Sequence, residues 1–125
     1  MAKLSPKRDA QLRPRGRERR RWPRIKIDLA VRVRFASREQ ARDNRTVDLS
    51  SGGVFVRMER PRVEGTFVEL ELQIAGRTVQ AKGVVVRVVR PEDEQRPTGI
   101  GVHFTEIGPA DRAFLDEIVR SKLHR

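Results

Sequence analysis

Two short stretches of the chain concentrate side chains able to do chemistry. Between residues 13 and 24 every basic residue is an arginine, and the run ends Arg19-Arg20-Arg21-Trp22-Pro23-Arg24. A guanidinium is a planar fork that grips a phosphate bidentately, pairs with the O6 and N7 edge of guanine and stacks on a base, which a lysine ammonium does not. The second stretch is Asp48-Leu49-Ser50-Ser51-Gly52-Gly53. With Leu49 directed into a core, strand alternation puts Asp48 and Ser50 together on the outer face. A carboxylate that accepts and a hydroxyl that both donates and accepts can read an amide-like edge, such as N1 and N2 of guanine. Each stretch also has a plainer explanation. The arginines serve equally as a solubilising or non-specific anionic tether, and Asp48 to Gly53 as a tight turn in which Gly52 and Gly53 supply positive φ.

Material for catalysis is thin. The chain has no cysteine, which excludes disulfides, thiolate metal sites and thiol chemistry. Its two histidines are His103, within a run that reads as a strand, and His124 beside the terminus. Nothing is spaced like a helical pair of zinc ligands, and the acids are scattered singly, so the chain reads as a binding protein and not as an enzyme, with no metal and no cofactor. His103 is either a solvent-facing, locally satisfied sheet residue or a ligand contact.

These residues must be held by something, and 125 residues suffice for one core. Residues 1–24 carry ten Lys or Arg against Asp9 and Glu18, a net +8 of the chain's +11. The basicity therefore belongs to an arm, with the rest near balance. Residues 1–19 hold too few apolar side chains to offset the cost of ordering and read as a disordered arm, attractive to nucleic acid, anionic lipid or a phosphorylated ligand. No apolar run matches a signal peptide or a membrane span, so a cytoplasmic location is expected.

The body starts at Ile25. Ile25, Ile27, Leu29, Val31, Val33 and Phe35 alternate with polar neighbours, the pattern of a strand with one buried face. Further strands are predicted over 45–49, 54–58, 67–74, 79–89 with Gly83 as a bend or close approach, and 98–104. Six such strands joined by short turns form an antiparallel sheet that must curl or close. One helix is predicted over about 109–122, started by Gly108-Pro109, with Asp111 in its first turn and a stripe of Ala110, Phe114, Leu115, Ile118 and Val119 up to Leu123. It would plug or cap the barrel.

In this order and strand context, the two stretches resemble the signature of the PilZ domain family, whose usual ligand is cyclic di-GMP. That signature is Arg-x-x-x-Arg immediately before the first barrel strand, then Asp or Asn-x-Ser-x-x-Gly at a turn after the second. Arg20 to Arg24 ahead of Ile25 and Asp48 to Gly53 match it, and the likeness continues through Gly65-Thr66, Gly83 and Gly99-Ile100-Gly101-Val102-His103-Phe104 to the closing helix. It covers Arg20 to Leu123, so residues 20–123 are expected to form one PilZ-like domain.

The resemblance implies an all-β, six-stranded antiparallel split barrel with a C-terminal helix. It implies that Arg20 and Arg24 clamp guanine and phosphate, that Arg21 assists the first clamp, and that Asp48 and Ser50 read the guanine edge. Gly53 is similar to the position kept free of a side chain so that the nucleotide can approach. Gly52, His103 and Trp22 are accessory candidates, Trp22 either packing where the arginine segment meets the barrel or stacking on a base. The function implied is a receptor that closes its arginine segment over cyclic di-GMP and signals to an effector protein. Two other readings stand beside it. A nucleic-acid-binding small barrel explains the basic arm, but gives Asp48 no task and lacks an aromatic platform. A degenerate PilZ-like module would act through protein contacts without nucleotide.

Overall fold

The computed structural model describes residues 23–35, 40–92 and 97–123. Seven strands and one helix follow in chain order: β1 (Ile25–Lys26), β2 (Ala30–Arg34), β3 (Arg42–Leu49), β4 (Gly53–Arg57), β5 (Phe67–Ile74), β6 (Arg77–Val89), β7 (Gly99–Ile107) and α1 (Pro109–Leu123). Every pairing is antiparallel. Hydrogen bonding runs β2-β5-β6-β7-β4-β3 and returns to β2, because β3 pairs with both β2 and β4. The six strands thus close into a barrel and leave no open edge between them. β1 adds to β3 beyond the end of β2, matching Ile25 with Leu49 and Lys26 with Asp48.

The single strand expected from Ile25 to Phe35 is broken. Residues 27–29 leave the ladder, and the side chain of Thr46 bridges the gap. Its Oγ1 donates to the Ile27 carbonyl at 2.6 Å and accepts from the Leu29 amide at 2.9 Å. Backbone bonds from Ile27 N to Val47 O and from Thr46 N to Leu29 O flank that bridge, and the β3–β4 register shifts between Thr46 and Asp48. This is a β-bulge: one extra residue on β3 bends the strand and re-aims its last residues, Asp48 and Leu49. Ile27 and Leu29 still pack on the core, which is why the apolar alternation continues through a segment that is not a strand.

Inward residues meet in one core. Val31 and Val33 from β2, Leu70 and Leu72 from β5, and Ile100 from β7 are each at most 2% exposed. The β5–β6 hairpin alternates without a break, Val68, Leu70, Leu72 and Ile74 inward and Phe67, Glu69, Glu71 and Gln73 outward, and turns through Ala75 and Gly76, both at positive φ. Gly83 stands where β6 shifts register against β7, and a Cβ there would lie 2.5 Å from the His103 carbonyl oxygen, so a close approach accounts for it.

α1 seals the barrel with Leu115 and Val119, both in the core, and with partly buried Phe114 and Ile118. Ala110 and Leu123, assigned to the apolar stripe from the sequence, are exposed, so the buried stripe is about two turns long. Asp111 holds the start of the helix to β6: it accepts from Arg77 at 2.9 Å and from the Gln80 amide at 3.2 Å. Arg77, followed by the Gln80 amide, holds the Asp111 carboxyl below its ordinary pKa of 3.8. Among the described residues, no helix is long and apolar enough to cross a membrane.

Candidate ligand site

Arg24 and Asp48 meet. The bulge in β3 and the short strand β1 bring together residues 24 positions apart, and an Arg24 guanidinium nitrogen donates to an Asp48 carboxylate oxygen at 2.5 Å. The pair lies on the outer face of the barrel, its side chains 41% and 21% exposed. Lys26 is exposed and pairs in register with Asp48. An open concavity of about 530 Å³ shares Lys26 with this face and is otherwise bordered by residues that include Asp28, Arg45 and Arg57, but not by Arg24 or Asp48. Arg45 is committed to the Asp28 carboxylate at 2.8 Å. Arg20, Arg21 and Trp22, the other arginine-segment candidates, lie outside the described residues.

Ser50 does not share the outer face with Asp48, as alternation suggested. β3 ends at Leu49, and Ser50 is 1% exposed. Its Oγ accepts from the amides of Gly52 at 3.2 Å and Gly53 at 3.1 Å, and lies 3.3 Å from the Gly53 carbonyl. The hydroxyl is consumed by its own turn, the local side-chain-to-backbone bonding that serine offers wherever a strand stops. The backbone completes the fastening, Ser50 N to Gly53 O and Phe104 N to Gly52 O, each at 2.9 Å. Arg112 of α1 then donates to the Ser51 carbonyl at 3.0 Å, tying the turn to the helix.

Gly53 is buried, and a Cβ built on it would lie 2.2 Å from the Val102 carbonyl oxygen. A backbone requirement for glycine therefore exists where β4 pairs with β7, inside the barrel. Gly52 is buried as well. His103 is exposed on β7, opposite Gly53 in one direction and Val84 in the other.

Sequence reasoning missed the residues beside Asp48. Phe55 pairs with Asp48 on one side and Gly101 on the other, and Gly101 pairs with Arg87, so these four form one row across β3, β4, β7 and β6. Phe55 faces outward between the core residues Val54 and Val56 and yet is only 6% exposed. Its ring fills the space left by Gly99 and Gly101, and the Arg87 guanidinium lies 5.7 Å from its centroid. A single aromatic inside the apolar run Val54-Phe55-Val56 carries no alternation signal, and only the two glycines across the sheet hint at room for a ring. The row thus places a carboxylate acceptor at one end and a guanidinium at the other, with a buried ring between them.

The chain belongs to the PilZ domain family, whose profile matches residues 18–121. Among solved structures, it is similar to the inhibitor of motility of Bacillus subtilis (MotI/DgrA), with a TM-score of 0.71 and 21% identity over 86% of this chain and 52% of that one. It therefore spans about half the length of that protein. It is also similar to the PilZ domain of YcgR from Escherichia coli, solved with c-di-GMP, with a TM-score of 0.64 and 19% identity over 85% of this chain and 92% of that one. The PilZ domain of CeSA from a cellulose-synthesizing bacterium gives 0.60 and 22%, covering 82% and 99%. No curated protein matches.

Proposed function

We propose that this chain is a receptor for cyclic di-GMP. Family membership and the c-di-GMP in the YcgR domain supply the ligand class. The observation that carries the reading for this chain is the outer-face pairing of Arg24 with Asp48, one residue from each half of the signature. Arg24 swings from Asp48 to phosphate or to the guanine O6 and N7 edge, and the freed carboxylate accepts from guanine N1 and N2. Opening an ion pair this exposed costs about 0.2–1 kcal/mol, well below the gain from two charge-assisted hydrogen bonds to the ligand. Arg20 and Arg21 close from the preceding segment, while Ser50, Gly52 and Gly53 shape the turn behind Asp48. The closed segment and ligand form a composite surface that an effector protein reads. No bond is made or broken.

Calorimetric titration tests this at each half of the signature. Arg24→Ala is expected to weaken cyclic di-GMP binding by roughly 30- to 150-fold, about 2–3 kcal/mol. Asp48→Ala is expected to weaken cyclic di-GMP and leave cyclic di-AMP, which lacks the guanine N1 and N2 donors, nearly unchanged. Equal or tighter cyclic di-GMP binding by Asp48→Ala, with the fold verified by circular dichroism, would overturn the guanine-edge assignment, because a site reading only phosphate gains from losing a carboxylate.

A further inference from the structure

Among the described residues, the most exposed large apolar side chains outside the ligand site lie on the β5–β6 hairpin and in the turn before it. Phe67 is 73% exposed, Val63 61% and Val86 55%. Phe67 pairs in register with half-buried Val84, and the turn before β5 is stitched to β6 by bonds from Gly65 N to Val85 O and from Val85 N to Thr66 O. Single exposed hydrophobics need no explanation; Phe67 and Val86 on the hairpin, with Val63 in the turn fastened to it, are three close in the fold.

What lies beside that set identifies its occupant. One row runs Arg34 on β2, Glu69 on β5, Lys82 on β6 and Glu106 on β7, all exposed and matched in register. Its charges read plus, minus, plus, minus. Rotated by 180° about an axis lying in the face, parallel to the strands and between β5 and β6, the row is laid reversed on itself. Glu69 then meets Lys82 of a second copy, and Arg34 is offered to Glu106. The same rotation lays Phe67 on Val84. Such self-complementarity is what an isologous two-fold interface requires, residue i on residue j and j on i. Within one chain the row is incompletely paired. Arg34 holds Glu69 at 2.8 Å, but among the described residues the Lys82 ammonium and the Glu106 carboxylate have no ion-pair partner. A second copy supplies both.

We propose that this face, centred on Phe67, Glu69, Lys82 and Val84, is a two-fold interface between copies of this chain. It goes beyond the nucleotide reading and is independent of it, since neither Arg24 nor Asp48 takes part. Phe67, Val63 and Val86 together present roughly 300 Å² of apolar surface, against about 800 Å² per partner in a stable interface. The charged rows must supply the remainder, so the dimer is weak and concentration-dependent.

Sedimentation equilibrium of the full chain, up to about 1 mM, is expected to show reversible growth from 14.4 kDa to twice that mass. Phe67→Ser and Lys82→Glu are each expected to raise the dissociation constant at least tenfold; both side chains are exposed, and circular dichroism verifies that the fold is kept. The double variant Glu69→Lys, Lys82→Glu restores opposite charges across the axis and is expected to recover most of the loss. A chain monomeric throughout that range, or a dimer indifferent to Phe67→Ser and Lys82→Glu, would overturn the proposal.

Discussion

Thr46→Val removes one hydroxyl and keeps the shape of the side chain. The wild-type Oγ1 satisfies two backbone groups at the break between β1 and β2, the Ile27 carbonyl and the Leu29 amide, from a side chain only 3% exposed. A valine methyl satisfies neither. Stranding a buried polar group costs about 1–3 kcal/mol; Ile27 and Leu29 are half-buried, so the low end applies to each and the sum is about 2 kcal/mol. With a urea dependence of ~2 kcal/mol per molar, the unfolding midpoint should fall by about 1 M. Thr46→Ser keeps the hydroxyl and removes one methyl, a loss of ~0.8 kcal/mol. The order wild type, serine, valine in urea titrations followed by circular dichroism is therefore the discriminating result. A valine variant as stable as wild type, or more stable than the serine variant, would show that methyl packing and not the bridge holds β1. Because β1 carries Lys26 and follows Arg24, the valine variant should also bind cyclic di-GMP more weakly than the serine variant.

Two further outcomes concern the turn and the helix start. Gly53→Ala forces a Cβ into the Val102 carbonyl and should destabilise the fold by about 1–3 kcal/mol in the same urea titration, with no ligand present; a stable variant that merely loses nucleotide would return the glycine to a ligand role. Asp111→Asn should lower stability at neutral pH, and the gap should close with acid. The sign comes from the lowered folded-state pKa: the stabilisation is complete above the unfolded value near 3.8 and is lost as pH falls through the folded one. Urea midpoints of the two proteins should differ most above about pH 5 and draw together as the pH falls below 3.8; a constant gap would mean that the carboxylate's charge does not matter.

Strands and helix were legible because the barrel buries one face of each strand and α1 buries one stripe. Alternation failed where backbone pairing and side-chain direction part company. Ile27 and Leu29 keep facing the core through a segment outside the ladder, so the apolar pattern hides the break, and only the hydrogen bonds of Thr46 disclose it. Ser50 shows the opposite failure. The period of two ends with β3 at Leu49, one residue before Ser50, where the amides of Gly52 and Gly53 turn the hydroxyl inward. Phe55 was invisible for a third reason: what buries it is a gap over Gly99 and Gly101 and the stem of Arg87, contributed by strands 30 and more residues away.

These particulars divide the site into a fixed part and a movable one. The turn after Asp48 is held by the Ser50 hydroxyl, by the Phe104 amide on Gly52 and by Arg112 from α1, 61 residues away from the carbonyl it binds. Asp48 itself is in the β3 ladder, paired with β1 and β4. The acceptor is thus built into rigid backbone, whereas its partner is a long arginine side chain, 41% exposed, at the point where the chain enters the barrel. On the proposed reading, a ligand arriving at Asp48 first displaces one guanidinium from a carboxylate held in the β3 ladder, and the segment carrying Arg20 and Arg21 closes afterwards. On that reading the first cost is a side-chain rotation, and the hydrogen bonds a guanine edge would donate to Asp48 are what offset it.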